Sequence, residues 1–255
     1  MFERIEFVNA GGEKLVGRLD ASEIKPASAY AIFAHCFTCT KNFKAVANIS
    51  RALTRKGISV MRFDFTGLGE SEGDFADTNF SSNVSDLIAA SGFLEKHYQA
   101  PKLLIGHSFG GTACLQAALD IPSAAAVVTI GSPAEPRHVE QHLAPARDQI
   151  RQRGEAELML SGRPFKIKQQ FIEDIQNVKI ADLLPTLKRA LLILHSPTDE
   201  VVGIDNAGHL FKAARHPKSF VSLDGADHMI SNAKDSEYAG LMIAAWASRY
   251  ISPDQ

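Results

Sequence analysis

The sequence predicts an α/β fold, in which helices cover both faces of a mostly parallel, twisted sheet. Short apolar runs of strand length alternate with longer helix-forming segments along the 255 residues. Runs of this kind are typical of strands buried between two layers of helices. A chain of this length can bury a complete core, so we expect a single domain over residues 1–255.

An antiparallel hairpin is predicted first, from residues 2–8 and 14–19, because the turn-forming residues Asn9, Gly11 and Gly12 lie between them. A strand at 30–34 follows. Helices at 42–56 and 81–97 then precede strands at 59–63 and 102–105, and the second helix carries its apolar residues on one face. Further buried strands are predicted at 127–130, 190–195 and 219–223, before a terminal helix.

Residues 133–187 interrupt this alternation and are predicted to form a lid insertion. Residues 158–168 indicate a small hairpin, with Ser161-Gly162-Arg163-Pro164 between the segments 158–160 and 165–168, and residues 169–178 an amphipathic helix. Insertions at the carboxyl ends of α/β strands often line the ligand pocket, so we expect apolar walls from the lid, including Phe165. A structural excursion or an oligomer contact is the alternative.

Composition argues against several functional classes. The net charge is −2, with acidic and basic residues interspersed, so no basic patch indicates nucleic-acid binding. The most apolar stretches, such as residues 124–130, are too short to span a bilayer, and the charged start is unlike a signal peptide. Three cysteines favour a reducing compartment over a disulfide scaffold, and a cytoplasmic protein is expected.

A G-x-S-x-G pentapeptide, Gly-His-Ser-Phe-Gly, occupies residues 106–110 between a predicted strand and a helix-forming run. A strand that turns sharply into a helix holds the serine hydroxyl exposed at the turn, and the glycines permit both the turn and close packing. The arrangement resembles the nucleophile elbow of the α/β-hydrolase fold. Ser108 is therefore the candidate nucleophile.

A second G-x-S-x-G occurs at residues 69–73, around Ser71. Glu70 and Glu72 flank this serine, and their charges would oppose both deprotonation of the hydroxyl and a developing oxyanion. Residues 74–79 after it indicate a loop rather than a helix. Ser71 is therefore predicted to be a loop residue without a catalytic role.

A nucleophilic serine needs a histidine base and an acid that orients the base. In the α/β-hydrolase order both follow the serine, in loops after later strands. Asp199 follows the strand at 190–195, and His228 follows the strand at 219–223, which predicts Asp199 as acid and His228 as base. Glu200 and Asp227 are alternatives for the acid. Asp227 is disfavoured because it adjoins His228, whereas Glu200 stays open.

Backbone N–H groups aimed at the developing negative charge would complete the site. Phe109, directly after the serine, is one predicted donor. The loop after the strand at 30–34 supplies the other, Phe37, with Cys36 as the off-by-one alternative. Cys36, Thr38 and His107 are expected to contact substrate, His107 as a pocket wall or core residue.

Cys36 and Cys39 form a C-x-x-C motif, which can mark a redox dithiol or half of a zinc site. His35 could be a third zinc ligand, but no fourth is available, since Cys114 lies in the helix after the serine. A redox pair normally opens a helix, whereas this motif falls in the predicted oxyanion loop. We therefore expect the cysteines to line the pocket, with no metal or organic cofactor.

The order of these motifs resembles an α/β-hydrolase over essentially the whole chain. Residues 62–71 resemble a D-x-x-G-x-G-x-S loop of the esterase and serine-aminopeptidase-like branches. Segments 33–39, 74–84 and 161–165 more closely resemble the hydrolase half of bacterial proteins that fuse an α/β-hydrolase to an osmotically inducible protein C (OsmC) domain. This chain has no OsmC-like half, which implies a stand-alone member or an excised hydrolase domain.

The motifs and the resemblance together predict a serine hydrolase, most simply a carboxylesterase that cleaves small short-acyl esters through an acyl-enzyme. A peptidase, thioesterase or perhydrolase with the same triad is the alternative, as is a non-catalytic module that serves a partner domain. The expected partner is a small ester substrate. A homodimer and, in relatives, an OsmC-like domain are further candidate partners.

Overall fold

The computed structural model of the protein describes residues 2–160 and 162–251. Ten strands lie in these ranges: β1 (Phe2–Val8), β2 (Lys14–Asp20), β3 (Ala29–Ala34), β4 (Ile58–Phe63), β5 (Leu103–His107), β6 (Ala126–Ile130), β7 (Glu155–Leu160), β8 (Arg163–Lys168), β9 (Ala190–His195) and β10 (Lys218–Ser222).

Nine α-helices lie in the same ranges: α1 (Lys44–Thr54), α2 (Phe80–His97), α3 (Phe109–Ala117), α4 (Glu140–Leu143), α5 (Arg147–Arg153), α6 (Gln169–Asn177), α7 (Ile180–Leu183), α8 (Asp205–Ala213) and α9 (Ala233–Ile251). Short 3-10 helices occur at Phe75–Asp77, Pro136–Val139, Ala144–Ala146 and Leu184–Thr186. Over the described part of the chain, no helix combines the length and apolar character that crossing a membrane would need.

Eight strands form one sheet in the order β1-β2-β4-β3-β5-β6-β9-β10. All neighbours from β4 to β10 are parallel, whereas β2 pairs antiparallel with both β1 and β4. The carboxyl ends of β3, β5, β9 and β10 therefore open at one edge of the sheet, where α/β folds bind their ligands. The predicted mostly parallel α/β architecture is confirmed.

Helices pack on both faces of the sheet, as predicted. On one face, Leu87 of α2, Ala113 of α3 and Leu210 of α8 belong to a single apolar core. On the other face, Leu53 of α1 and Ile243 of α9 belong to a second core. Strands β5 and β6 are buried at every position between these layers. Their uninterrupted apolar sequences follow from this burial, because neither face meets water.

Strand β10 corrects one prediction, because residues 218–222 form an edge of the sheet rather than a buried strand. Phe220 is 43% exposed there. A short apolar run cannot show whether a neighbouring strand covers its outer side, so the sequence did not distinguish the two cases. Helix α8 was also not predicted, and Gly208 near its centre weakens the local helical pattern.

Between β6 and β9 the chain leaves the sheet for residues 133–187. The predicted hairpin is formed by β7 and β8 in antiparallel register, with Arg163 and Pro164 already in β8, and Ser161 lies outside the described residues. The predicted amphipathic helix is α6. Gln170 at its start accepts a hydrogen bond from Asn79 at 2.8 Å, which ties the insertion to the segment before α2. Its role as a lid remains a prediction.

Helix α3 approaches the end of β3 so closely at Gly110 that no side chain would fit there. A Cβ placed on Gly110 would be 2.4 Å from the carbonyl oxygen of His35 and 2.6 Å from that of Ala34. Both oxygens belong to the backbone and cannot rotate away, so the helix itself would have to move. The glycine at this position sets the spacing between α3 and the end of β3.

We expect Gly110→Ala to lower the free energy of unfolding by about 1–3 kcal/mol, the usual cost of overpacking. Gly92→Ala is the matched control, because Gly92 is exposed in α2 and an added Cβ would meet no atom within 4 Å. That control should gain up to about 1 kcal/mol from helix propensity. Urea unfolding measures both, and equal stability of Gly110→Ala and the wild type would contradict the close approach.

Candidate active site

Ser108 lies at the turn between β5 and α3, where the pentapeptide predicts it. Its backbone has φ 54° and ψ −125°, a conformation that non-glycine residues rarely adopt. The Ser108 N–H donates to the carbonyl oxygen of Ile130 at 2.8 Å, which fixes the turn against β6. A Cβ on Gly106 would lie 2.3 Å from the carbonyl oxygen of Gly110, so this turn requires glycine at its start.

Three side chains from separate loops form one hydrogen-bonded chain. Nε2 of His228 lies 3.1 Å from Oγ of Ser108, and Nδ1 of His228 lies 2.8 Å from Oδ2 of Asp199. An ionised carboxylate can only accept, so it fixes the imidazole proton on Nδ1. Nε2 is then free to accept the proton of the Ser108 hydroxyl. The structure brings together the predicted nucleophile, base and acid.

Asp199 is held as a buried carboxylate by several donors. Its Oδ1 accepts the N–H groups of Val201 at 2.9 Å and Val202 at 2.8 Å, while Oδ2 faces His228. Burial by itself would raise the pKa of Asp199. The hydrogen bonds from His228 and from the two N–H groups outweigh burial, so the pKa lies below its usual value. Asp199 therefore stays charged opposite the imidazole.

The alternative residues are directed elsewhere. Glu200 is exposed to solvent, and Oδ1 of Asp227 accepts a backbone N–H of its own loop at 2.7 Å. Oγ of Ser71 donates to the carbonyl oxygen of Asp64 at 2.6 Å and accepts a backbone N–H at 2.9 Å. The Ser71 hydroxyl is thus engaged by the backbone of Asp64 and of Val16 in β2, and Asp199 rather than Glu200 contacts the histidine.

Two backbone N–H groups in the same region donate no hydrogen bond within residues 2–160 and 162–251. They belong to Phe109, in the first turn of α3, and to Phe37, in the loop after β3. The Phe37 ring lies 5.4 Å from the ring of Phe109 and 5.4 Å from that of Phe171 in α6. These ring contacts hold the predicted oxyanion loop against the turn at Ser108.

A cleft of about 250 Å³ opens over Ser108 and His228. The predicted contacts Cys36 and Thr38 line it. Sequence reasoning missed its remaining walls, of which Val201 and Met229 could have been found because each lies within two residues of a predicted site residue. The residues contributed by the insertion carry no motif. The lining comprises Cys36, Phe37, Thr38, Cys39, Ser108, His142, Leu160, Val201, His228 and Met229.

Cys36 and Cys39 are joined by a disulfide in the wall of this cleft. They line the pocket as predicted, but their disulfide departs from the expectation that the three cysteines mark a reducing compartment and that the C-x-x-C motif is not a redox pair. Cys114 is free and buried, and burial raises the pKa of its thiol. In the residues that the structure describes, no group of three or more His, Cys, Asp or Glu could hold a metal ion.

Two predicted substrate contacts do not line the cleft. His107 is buried beneath His228, with the ring centroids 5.1 Å apart and its Nε2 2.7 Å from the His228 carbonyl oxygen. Phe165 is buried in the insertion, where its ring lies 4.7 Å from that of Phe75. His107 therefore holds His228 through its backbone carbonyl, and Phe165 packs inside the insertion against Phe75. Position in the sequence did not show which way either side chain points.

Comparisons with known proteins agree with this fold. A family model described as "Serine aminopeptidase, S33" matches residues 29–153, a range that includes Ser108 and ends before Asp199 and His228. A crystal structure of the esterase domain of a Rhodothermus marinus protein is 48% identical, with a TM-score of 0.81. The alignment covers 99% of this chain and 100% of that one.

More distant relatives share the fold. The ferulic acid complex of Est1E from Butyrivibrio proteoclasticus is 20% identical, with a TM-score of 0.81, over 96% of this chain and 98% of that one. Palmitoyl-protein thioesterase ABHD10, a mitochondrial protein of Mus musculus, is 26% identical over 62% of this chain and 54% of its own length. The chain thus spans about half the length of the curated relatives it matches.

His107 generates a prediction about stability against pH. Burial, and secondarily the charge of His228, lower its pKa from 6.5 to about 4, so it is neutral near pH 7 and donates Nε2–H to the His228 carbonyl. Between these values the unfolded chain binds a proton that the folded chain does not. This contribution to stability is complete above pH 6.5 and is lost as the pH falls toward 4.

Between pH 7.5 and pH 5, the wild type should therefore lose about 2 kcal/mol more of its free energy of unfolding than His107→Gln. Glutamine can still donate to the His228 carbonyl but does not titrate. Urea unfolding at both pH values measures the difference. If the two proteins lost stability in parallel, the conclusion that folded His107 stays neutral at pH 5 would be wrong.

Proposed function

Because the chain belongs to the α/β-hydrolase family, we propose that it is a serine carboxylesterase acting on small short-acyl esters. The observation that carries the proposal is the hydrogen-bonded chain from Ser108 through His228 to Asp199. Two N–H groups that have no acceptor among the described residues are close by: that of Phe37, which lines the same cleft, and that of Phe109, which directly follows Ser108. This combination supplies a nucleophile, a base, an orienting acid and oxyanion donors.

The acylation step follows from these roles. Oγ of Ser108 adds to the ester carbonyl carbon while its proton passes to Nε2 of His228. Asp199 accepts the hydrogen bond from Nδ1 and stabilises the imidazolium that forms. The N–H groups of Phe37 and Phe109 donate to the oxyanion. When the intermediate collapses, the bond to the leaving oxygen breaks and His228 protonates the departing alcohol, leaving the acyl group on Ser108.

Deacylation repeats the sequence with water as the nucleophile. His228 Nε2 accepts a proton from the water as it adds to the acyl carbon, and the same N–H groups hold the oxyanion. The bond to Ser108 Oγ then breaks, and His228 returns the proton to that oxygen. The carboxylic acid leaves, and the side chains are again in their starting protonation states.

The cleft supports a small acyl group. Its volume of about 250 Å³ is below the roughly 300–1,000 Å³ usual for small-molecule pockets. Leu160, Val201 and Met229 give it apolar walls, which favour an alkyl chain over a charged acyl group. Short, uncharged acyl esters are therefore the proposed substrate class.

A thioesterase is the second candidate function. It is favoured by the similarity to ABHD10, which is described as a palmitoyl-protein thioesterase. The same triad can release a thiol in place of an alcohol, but a palmitoyl chain is far larger than the cleft of about 250 Å³. The thioester substrate of this chain would then carry a short acyl group. The kcat/KM ratio for a matched butyryl ester and butyryl thioester distinguishes the two functions.

No specific observation favours the remaining interpretations, which are a peptidase, a perhydrolase and a non-catalytic module. Peptidase and perhydrolase chemistry would use the same triad. A non-catalytic module, serving for instance an OsmC-like partner domain, would have no need of a strained serine aligned with a histidine and a carboxylate. A homodimer and a cytoplasmic location stay predictions from the sequence.

We expect Ser108→Ala to lower kcat for p-nitrophenyl butyrate by a factor on the order of 10⁴–10⁶, because the acyl-enzyme cannot form. Ser71→Ala is the matched control, since it removes the serine of the other pentapeptide, and it should keep kcat within about threefold. A fluorophosphonate probe should label Ser108 in the wild type and in Ser71→Ala. Circular dichroism would check that both variants are folded.

Near-full activity in Ser108→Ala, or loss of activity only in Ser71→Ala, would overturn the assignment. A folded wild-type protein whose Ser108 is not labelled would favour the non-catalytic module.

Acyl length provides a test of the substrate class. We expect kcat/KM to be highest for acetyl to butyryl esters and at least about tenfold lower for dodecanoyl esters, because a long chain cannot be buried in the cleft. Leu160→Ala enlarges the cleft and should shift the preference toward longer chains. Met159→Ala is its control, since Met159 is 65% exposed on the other side of β7. A preference for dodecanoyl esters in the wild type would contradict the proposed substrate class.

A further inference from the structure

The Cys36–Cys39 disulfide closes a small ring around the predicted oxyanion donor. Only Phe37 and Thr38 lie between the bonded cysteines, whose Cα atoms are 5.3 Å apart. The N–H of Cys39 also donates to the carbonyl oxygen of Cys36 at 3.1 Å, which makes the segment a closed turn. The direction of the Phe37 N–H is therefore set by a covalent ring as well as by hydrogen bonds.

The conformation inside this ring needs such a restraint. Thr38 has φ 62°, which is unfavourable for a β-branched residue and persists only where the surroundings impose it. Two further contacts hold the same turn: Nδ1 of His35 donates to the Cys36 carbonyl at 2.9 Å, and Arg163 of β8 donates to the Thr38 carbonyl. The disulfide is the covalent member of this set.

The disulfide is accessible from the cleft that holds Ser108. Both cysteines line this cleft, and Cys39 is partly exposed while Cys36 is buried. Cys39 is the more exposed of the two residues, so we expect an attacking thiolate to reach the disulfide at Sγ of Cys39. We do not expect Cys114 to take part in the exchange, because its thiol is buried in α3 and hydrogen-bonds the backbone of Ala34.

We propose that the Cys36–Cys39 disulfide is a reducible modification site that holds the Phe37 N–H in its oxyanion position, so that a dithiol reductant lowers the rate of ester hydrolysis. The inference rests on the proposed function, because it takes Phe37 as an oxyanion donor. The proposal gives a role to the C-x-x-C motif, which the triad of Ser108, His228 and Asp199 does not use.

The exchange balances with a dithiol as the electron donor. One thiolate of the reductant attacks Sγ of Cys39, and Cys36 leaves as a thiolate. The second thiol of the reductant, as its thiolate, then attacks the reductant sulfur that is bonded to Cys39, and Cys39 leaves as a thiolate. The products are two protein thiols and the cyclic disulfide of the reductant, with two electrons transferred to the protein. An oxidised dithiol reverses the reaction.

Reduction should act mainly on kcat. Loss of one oxyanion donor costs a factor of about 10²–10³ in kcat in enzymes with this mechanism. The contacts of His35 and Arg163 remain after reduction, so we expect a smaller loss, of about tenfold or more. KM should change little, since Ser108 and the apolar walls stay in place.

The experiment compares oxidised protein with protein reduced by dithiothreitol, freed of reductant by anaerobic gel filtration. Alkylation and mass spectrometry count the thiols at Cys36 and Cys39. Steady-state kinetics with p-nitrophenyl butyrate and the rate of Ser108 labelling by a fluorophosphonate give two readouts. Both rates should fall on reduction and recover on reoxidation with oxidised dithiothreitol. Cys114→Ala should respond as the wild type does, and Cys36→Ser/Cys39→Ser should be slow and insensitive to reductant.

Unchanged kcat after complete reduction would overturn the proposal, as would a disulfide that resists reduction in the folded protein or fully active protein isolated with two free thiols. If the double variant does not fold, reversible reduction of the wild type still decides. A failure of the proposed esterase function is distinguishable: no butyrate ester would be cleaved, yet labelling of Ser108 would still slow on reduction.

Discussion

The close contact between helix α3 and the ends of β3 and β5 is the constraint on which the candidate site depends. Gly106 and Gly110 have no room for a Cβ, because backbone oxygens lie less than 3 Å from where one would be. This contact forces the chain to turn within one residue, and Ser108 takes up the strain at φ 54°. The same contact brings the first turn of α3, which begins at Phe109, against the end of β3 and the loop that follows it. The predicted nucleophile and the proposed oxyanion donors therefore lie in segments that one packing requirement holds together.

The histidine reaches this turn from the edge of the sheet, where fewer neighbours hold the chain. Three contacts compensate for the exposed position of β10: Trp246 of α9 donates to Oγ of Ser219 at 3.0 Å, the N–H of Leu223 donates to the His195 carbonyl at 2.9 Å, and His107 supports the His228 carbonyl. Strand β10 itself contributes little buried surface. Precise placement of the imidazole thus relies on polar contacts rather than on core packing.

Much of the fold and of the candidate site was predictable, because the features that indicate them are local in sequence. The alternation of strands and helices, the turn at Ser108 and the positions of Asp199 and His228 after strand ends are all visible in short windows of sequence. What could not be predicted depends on which distant residue covers a given side chain. The edge position of β10, the buried side of His107 and the pairing of Cys36 with Cys39 are of this kind. His142 and Leu160 reach the cleft only through the path of the insertion, which has no periodic signal.

The two G-x-S-x-G pentapeptides differ in the groups that pack against their glycines. The one around Ser71 lies beside Asp64, whose Oδ1 accepts the N–H of Lys41 at 2.7 Å and whose Oδ2 accepts the N–H of Glu70 at 3.0 Å. A Cβ on Gly69 would lie 2.2 Å from Asp64 Oδ2, so the glycine of this copy makes room for a carboxylate rather than for a helix. The ammonium of Lys41 pairs with the same buried carboxylate. Such a pair gains little net stability after desolvation, but it fixes position. Since Lys41 directly follows the loop of residues 35–40, the second pentapeptide anchors the base of the segment that carries Phe37, while the first presents the hydroxyl.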